Sequence, residues 1–272
     1  MLRTAFALAA LASAAGAAAA PRPPIRVILV GDSTVASKNG YGDALCARFT
    51  PEVTCVNLGA NGRSSKSFRA EGRWDKVLEL LREGGKDGGN DGGNEGGKEA
   101  GKDGARFSAQ YVLVQFGHND QPGKRHATDL VSEFPANMAR YAADVRALGG
   151  VPVLVTPLTR RTFRGPYLRD TLAPWAAATR KAAEAAGVAV LDLNTDSAAA
   201  VQAMGQAEAD TLAEEPAPPP APDGRKVKSK FDWTHLGPKG AALFGAMAGE
   251  ELRQAVPAIA PYLRADSRPG QR

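Results

Sequence analysis

Five short apolar runs rich in β-branched residues recur along the chain, at residues 25–30, 53–58, 111–116, 151–156 and 188–192. Such runs are typical of strands buried on both faces of a parallel sheet. Between them, apolar residues recur at spacings of three and four, which predicts helices over residues 72–82, 129–148, 173–186 and 238–254. Gly149, Gly150 and Gly187 stand where two of these helices are expected to end.

The alternation of strands and helices predicts one α/β domain over residues 21–272. We expect a three-layer α/β/α architecture around a five-stranded parallel sheet. A flavodoxin-like strand order, 2-1-3-4-5, would place the end of the first strand beside the point where the order reverses. Open parallel sheets bind their ligands at that point.

Two segments interrupt this pattern. Residues 84–104 are almost entirely Gly, Lys, Asp, Asn and Glu, so they cannot bury enough apolar surface to offset the entropy of ordering. We expect a disordered insertion there. Residues 214–230 are rich in proline and end in basic side chains. This segment is interpreted as a solvated linker or as a loop that contacts a substrate.

The first 20 residues have the features of a cleaved secretory signal peptide: Arg3 near the start, an apolar stretch, and small residues at 18–20. No later stretch approaches the ~20 apolar residues that span a bilayer. We therefore expect a periplasmic or secreted protein with no membrane partner. We also expect it to be a monomer.

Charge and cysteine content narrow the classes of partner. The formal net charge of +5 would suit nucleic acid, anionic lipid or an acidic polysaccharide, and export argues against nucleic acid. The two cysteines, Cys46 and Cys55, could form a disulfide in an oxidising compartment or remain two buried thiols.

A serine follows the first predicted strand, within the Gly-Asp-Ser-Thr sequence at residues 31–34. Ser33 is therefore a candidate nucleophile, which requires a base and donors for an oxyanion. His235 lies three residues after Asp232, so one turn could hold the imidazole against the carboxylate. Gly62 and Asn119 follow the second and third strands and could supply the donors.

With these motifs in this order, the chain resembles the SGNH (GDSL-like) hydrolase superfamily. It looks most like the rhamnogalacturonan acetylesterases and related carbohydrate acetylesterases, through Asn-Gly-Arg-Ser-Ser-Lys-Ser-Phe at 61–68 and Phe-Gly-His-Asn-Asp at 116–120. The resemblance implies a triad of Ser33, Asp232 and His235. It also implies an oxyanion hole formed by the Ser33 N–H, the Gly62 N–H and the Asn119 side chain. No metal or cofactor is implied.

These features predict a secreted serine esterase that removes acetyl groups from plant cell-wall polysaccharide, such as rhamnogalacturonan or pectin. One alternative is a lipolytic or thioester hydrolase of the same superfamily, and another is a non-catalytic carbohydrate-binding protein. A metal site built on His118 and Asp120 is disfavoured, because a chain with three histidines offers too few ligands for a two-metal centre.

Further residues are assigned to substrate binding and loop support. Five arginines could reach the cleft or remain solvated surface charges: Arg63, Arg160, Arg161, Arg164 and Arg169. A guanidinium pairs bidentately with a carboxylate, so one or two of them are expected to bind uronate groups, with Arg63, Arg160 and Arg161 as the candidates. His118 is expected to pack beside Asn119, orient it and border the substrate. Buried acceptors at Asp32 and Asp120 are expected to hold the site loops through backbone N–H groups; Asp32 precedes Ser33 directly and Asp120 follows Asn119.

Overall fold

A computed structural model describes residues 22–85, 107–215 and 231–264. Its strands are β1 (Ile25–Gly31), β2 (Val53–Asn57), β3 (Ala109–Gln115), β4 (Val151–Val155), β5 (Phe163–Arg164), β6 (Tyr167–Leu168) and β7 (Ala189–Leu191). Five of them form a parallel sheet in the order β2-β1-β3-β4-β7, and β5 and β6 form a separate antiparallel hairpin. The predicted five-stranded sheet and its flavodoxin-like order are confirmed.

The helices are α1 (Gly42–Cys46), α2 (Ser67–Ala70), α3 (Arg73–Gly84), α4 (Glu133–Ala147), α5 (Ala173–Ala186), α6 (Leu193–Asp210) and α7 (Pro238–Ala255), followed by a 3-10 helix over Pro257–Tyr262. The chain leaves α5 through Gly187, which adopts the left-handed conformation at φ 57° that the expected helix stop requires. Within the described segments, no helix is both long enough and apolar enough to cross a membrane.

The sheet is covered on both faces, which gives the predicted three layers. Along β1, Val27 and Leu29 point into a core shared with α1, α6, α7 and the 3-10 helix. The alternate residues, Ile28 and Val30, point into a second core formed with α2, α3, α4 and α5. Both faces of β1 are therefore apolar, as expected for a central parallel strand.

Several boundaries differ from the sequence-based expectation. Helix α4 begins later than residue 129, because the Asp129 carboxylate accepts the backbone N–H groups of Val131 and Ser132 and forms a turn. Gly84 is the last residue of α3 and so does not belong to the insertion. Gly85 is the C-cap residue of that helix, and residues 86–104 of the insertion, residues 216–230 and the proposed signal peptide lie outside the described residues.

A disulfide joins Cys46, at the end of α1, to Cys55 in β2. Of the two states considered for these cysteines, the structure therefore has the bonded one. Because β2 is an edge strand of the sheet, the bond attaches that edge to α1, which packs against α7.

One buried carboxyl group yields a prediction about stability. Both carboxylate oxygens of Glu251 in α7 are buried, with no hydrogen-bond partner in the described part of the chain. Burial, together with the charges of Asp196 and Asp192, raises the pKa of Glu251 from 4.5 to about 8. The folded state thus holds a proton that the unfolded chain releases, so this group costs stability increasingly as pH rises from 4.5 towards 8.

We therefore expect Glu251→Gln to raise Tm by roughly 3 °C or more at pH 8 and to change it little at pH 5. Thermal melts followed by circular dichroism at the two pH values measure this difference. The matched control is Glu250→Gln, because the Glu250 side chain is 54% exposed. A Tm gain of equal size at both pH values would contradict the assignment.

Candidate active site

The turn after β1 presents Ser33 at the carboxyl edge of the sheet. The Asp32 carbonyl accepts the N–H groups of Val35 and Ala36, at 3.2 and 3.1 Å, which bends the chain directly after the strand. The Asp32 carboxylate is fully buried and accepts both the N–H and the hydroxyl of Thr34, at 2.9 and 2.8 Å. The turn that carries Ser33 is therefore fixed from beneath.

The structure brings Ser33, His235 and Asp232 together. The Ser33 Oγ lies 2.6 Å from His235 Nε2, although the two residues are 202 positions apart in sequence. On the other side of the ring, His235 Nδ1 lies 2.6 Å from Asp232 Oδ2. With its proton on Nδ1, the imidazole donates to the carboxylate and can accept the serine proton at Nε2. This geometry suits general-base activation of a hydroxyl.

The Asp232 carboxylate is held in its charged form. Its second oxygen accepts the backbone N–H groups of Thr234 and His235, at 2.7 and 2.9 Å. Burial raises the pKa of Asp232, but the hydrogen bonds from His235 and Thr234 and the charge of His235 outweigh burial, so the pKa lies below its usual value. An ionised carboxylate can stabilise the imidazolium that forms when His235 accepts a proton.

Three N–H groups suited to binding an oxyanion border the same cavity, of about 370 Å³, which we call the active-site cavity. Its lining includes Ser33, Gly62, Asn119 and His235. Among the described residues, the backbone N–H groups of Ser33 and Gly62 have no hydrogen-bond acceptor. Gly62 adopts φ +76° with open space where a Cβ would stand, so a ligand can approach its backbone closely. The Asn119 amide donates one N–H to the Arg63 carbonyl at 3.1 Å, which leaves its second N–H for a ligand.

Asp120 connects the two loops that carry Gly62 and Asn119. This buried carboxylate accepts the N–H of Ser65 at 3.1 Å and the Ser65 hydroxyl at 2.6 Å, and it also accepts the Thr128 hydroxyl at 3.0 Å. Burial raises the pKa of Asp120 to about 6, which hydrogen bonds from Ser65 and Thr128 partly oppose. Asp32 and Asp120 therefore both hold site loops through backbone N–H groups, as the sequence predicted.

The structure contradicts the predicted role of Arg161 in substrate binding. Its side chain is fully buried beneath the loop that carries Asp232 and His235, where no polysaccharide can reach it. One guanidinium nitrogen donates to the carbonyls of Asp232 and His235, at 2.9 and 2.8 Å, and the other lies 3.4 Å from the Thr234 carbonyl. Burial lowers the pKa of Arg161 to about 10, so the group remains charged at neutral pH. Arg161 therefore supports the loop that carries Asp232 and His235 from within the protein.

The other two arginines predicted to bind substrate border the site, but their donors are largely occupied. Arg63 pairs with Glu71 at 2.9 Å and also donates to the Asn61 carbonyl. Arg160 lines the active-site cavity and donates to the side chains of Gln121, Thr171 and Thr234, at 2.6, 3.0 and 3.2 Å. All three guanidinium nitrogens of Arg160 donate within the protein, since its Nη2 also lies 3.5 Å from the His118 carbonyl, whereas Arg63 is engaged through Nε and Nη1.

His118 lines the active-site cavity, as expected for a residue that borders the substrate, and its ring bonds to Asp32. Its Nδ1 lies 3.1 Å from Asp32 Oδ2, and within the described part of the protein its buried Nε2 has no partner. The ring is therefore bonded to the acid beside Ser33 and makes no hydrogen bond to Asn119.

Two cations near the site were not singled out from the sequence. Lys124 and Arg125, on the loop between β3 and α4, line a second cavity of about 460 Å³ that adjoins the first. The signal was present in the sequence as Gly-Lys-Arg-His at residues 123–126, which is separated by two residues from the motif that contains Asn119. As for metals, the described residues contain no group of three or more His, Cys, Asp or Glu side chains arranged to hold an ion.

Comparison with known proteins agrees with this geometry. The model of the GDSL-like Lipase/Acylhydrolase family matches residues 29–243. Rhamnogalacturonan acetylesterase RhgT of Bacillus subtilis (strain 168) is 29% identical over 86% of this chain and 91% of its own length. The probable rhamnogalacturonan acetylesterase YesY of the same organism is 23% identical over 66% of this chain and 75% of its own.

Among solved structures, a variant of Axe2, an acetyl xylan esterase from Geobacillus stearothermophilus, has the same fold. It aligns with a TM-score of 0.55 at 13% identity and covers 89% of this chain and 97% of its own. The matched residues of the family model include Ser33, Gly62, Asn119, Asp232 and His235, which the structure gathers at the carboxyl edge of one sheet. The chain therefore belongs to the GDSL-like lipase/acylhydrolase family of carboxylic ester hydrolases.

Proposed function

We propose that this protein is a serine esterase that removes acetyl groups from an acetylated pectic polysaccharide of the rhamnogalacturonan type. The observation that carries the proposal is the chemistry of the active-site cavity. All 11 of the residues that line it are glycine or have polar or charged side chains. Such a surface suits a small acyl group on a hydroxyl-rich sugar, and it offers no apolar groove for a long alkyl chain. The similarity to rhamnogalacturonan acetylesterases supports the choice of polysaccharide.

In the proposed acylation step, the Ser33 Oγ attacks the acetyl carbonyl carbon while its proton passes to His235 Nε2. The negative charge that forms on the carbonyl oxygen is bound by the N–H groups of Ser33 and Gly62 and by the Asn119 amide. His235 then returns the proton to the departing sugar oxygen as the ester C–O bond breaks. The products are a free sugar hydroxyl and an acetyl group on Ser33.

Deacylation repeats these steps with water as the nucleophile. His235 accepts a proton from the water, which attacks the acetyl carbonyl within the same oxyanion hole. The Ser33–acetyl bond breaks, His235 returns the proton to the serine oxygen, and acetate leaves. Asp232 remains ionised throughout and stabilises the imidazolium in both halves of the reaction.

We also propose that the protein acts outside the cytoplasm. Two features support this location: the charge and apolar pattern of residues 1–20, and the disulfide between Cys46 and Cys55, a bond that is rare in reducing compartments.

The test combines acetate release with an acyl chain-length series. We expect acetate to be released from acetylated rhamnogalacturonan. We also expect kcat/KM for p-nitrophenyl acetate to exceed that for p-nitrophenyl octanoate at least about tenfold, because the additional methylenes of the octanoyl chain find no apolar surface in this cavity against which to be buried. A third cavity, on the far side of His235, includes Phe231 in its lining, but it also carries Glu214, Glu215 and Asp232, so an alkyl chain there would face carboxylates. A preference for the octanoate would favour the lipolytic alternative and reject the proposal.

A further inference from the structure

The three arginines expected to bind carboxylates are buried or largely engaged within the protein. Arg161 is fully buried, Arg63 is paired with Glu71, and Arg160 donates to side chains of the protein. A pectic substrate nevertheless carries uronate carboxylates close to its acetyl groups, and binding them requires cations near Ser33 that are not already paired within the protein.

Lys124 and Arg125 are the cations that meet this requirement. Both side chains are exposed, and in the described part of the chain neither has a hydrogen-bond or ion-pair partner. They line the second cavity, of about 460 Å³, which we call the basic cavity. Gly62, Asn119 and Lys124 border both this cavity and the active-site cavity, so a ligand can extend from one to the other past the oxyanion hole.

The charges around the basic cavity favour an anion. Its lining includes three cationic side chains, those of Arg63, Lys124 and Arg125, and a single carboxylate, that of Glu71. Glu71 already accepts from both Arg63 and Arg73, each at 2.9 Å, so it does not neutralise Lys124 or Arg125. A cleft lined by one sign of charge raises the local concentration of ligands of the opposite sign.

We propose that Lys124 and Arg125 form a subsite for the carboxylate of a uronic acid residue near the acetylated sugar. This inference rests on the proposed function, whose substrate class it refines. The Arg125 guanidinium can bind a carboxylate through two parallel N–H bonds, and the Lys124 ammonium adds a point charge beside Asn119. The subsite would orient an acidic chain so that its acetyl group lies over Ser33.

The test uses polygalacturonate, which carries carboxylates and no acetyl ester, as an inhibitor of p-nitrophenyl acetate hydrolysis. In the unaltered protein we expect inhibition that weakens as NaCl rises from 20 to 500 mM, because salt screens exposed charges. In the double variant Lys124→Gln/Arg125→Gln we expect the inhibition constant to rise about tenfold, as two partly exposed charge-assisted contacts are lost. Each inhibition constant is normalised to that variant's own uninhibited rate.

The matched control is the double variant Arg140→Gln/Lys181→Gln, which removes the same charge from exposed positions on α4 and α5, outside both cavities. Its inhibition constant should stay within about twofold of the original, since distant exposed charges are screened. An equal loss in both double variants, or no loss in the first, overturns the subsite. Fully methyl-esterified polygalacturonate should not inhibit.

This assay requires turnover of p-nitrophenyl acetate alone. If acetylated rhamnogalacturonan released no acetate, the proposed function would fail, and the inhibition constants would still decide whether Lys124 and Arg125 bind a polyuronate.

Discussion

Replacing Ser33 with alanine is expected to lower kcat for p-nitrophenyl acetate by about 10⁴–10⁶-fold. The Ser33 Oγ lies 2.6 Å from His235 Nε2. The described residues place no other hydroxyl or thiol in hydrogen-bond contact with that imidazole. The variant keeps Asp232, His235 and all three oxyanion donors, because alanine retains the backbone N–H of residue 33, so a small residual rate over water should remain. Initial rates with a chromogenic acetate measure the loss.

Ser108→Ala is the matched control, because Ser108 is exposed and bonds to the Pro24 carbonyl at the opposite edge of the sheet. We expect it to retain its rate. Ser33 is 5% exposed and makes one hydrogen bond through its hydroxyl, so Ser33→Ala should melt close to the unaltered protein. A folded Ser33→Ala variant with full activity would end the proposed mechanism.

The second large effect is expected from Arg161→Met. This change deprives the carbonyls of Asp232, Thr234 and His235 of their donor, at a cost of about 1–3 kcal/mol for each group left unsatisfied. We therefore expect the free energy of unfolding to fall by about 3 kcal/mol or more. We also expect kcat to fall roughly 10²-fold, because a shift of about 1 Å in a catalytic group has an effect of that size.

Urea unfolding measures the stability change, and rates measured well below the melting temperature separate loop displacement from loss of the folded state. Arg161→Lys retains the charge and a single donor nitrogen, so it should recover part of kcat. The control is Arg164→Met, three residues further on at an exposed position of the hairpin, which should alter neither quantity. Normal kcat in folded Arg161→Met would show that the loop holds its shape without the guanidinium.

The sequence was sufficient to predict the sheet, its strand order and the three chain segments that meet at Ser33, because continuous apolar runs mark buried strands. Helix α6 was not predicted. Its five buried positions include Asn194, Ser197 and Ala209, and the chain kinks at Gly205, so it lacks a clear apolar stripe. The β5–β6 hairpin was also missed, since strands of two residues leave no periodicity to detect.

Arg161 shows why neighbouring residues of one type could not be told apart from the sequence. Arg160 and Arg161 are adjacent and chemically identical, yet one lines the active-site cavity and the other is fully buried. The difference depends on the backbone direction after β4, which is set by tertiary contacts such as the bond from the Arg161 N–H to the Trp233 carbonyl. Local patterns do not contain that information. The free charges of Lys124 and Arg125 were likewise visible in the sequence, but their lack of partners was not.

The separation of 202 positions between Ser33 and His235 has a consequence for how this polypeptide becomes active. A fragment cut anywhere between them carries either the hydroxyl or the imidazole, never both. Hydrolysis must therefore wait until the segment that carries His235 has been synthesised and docked, and a translation product that ends before His235 lacks the imidazole. Ester turnover thus reports that synthesis has passed His235 and that the two distant segments have come together.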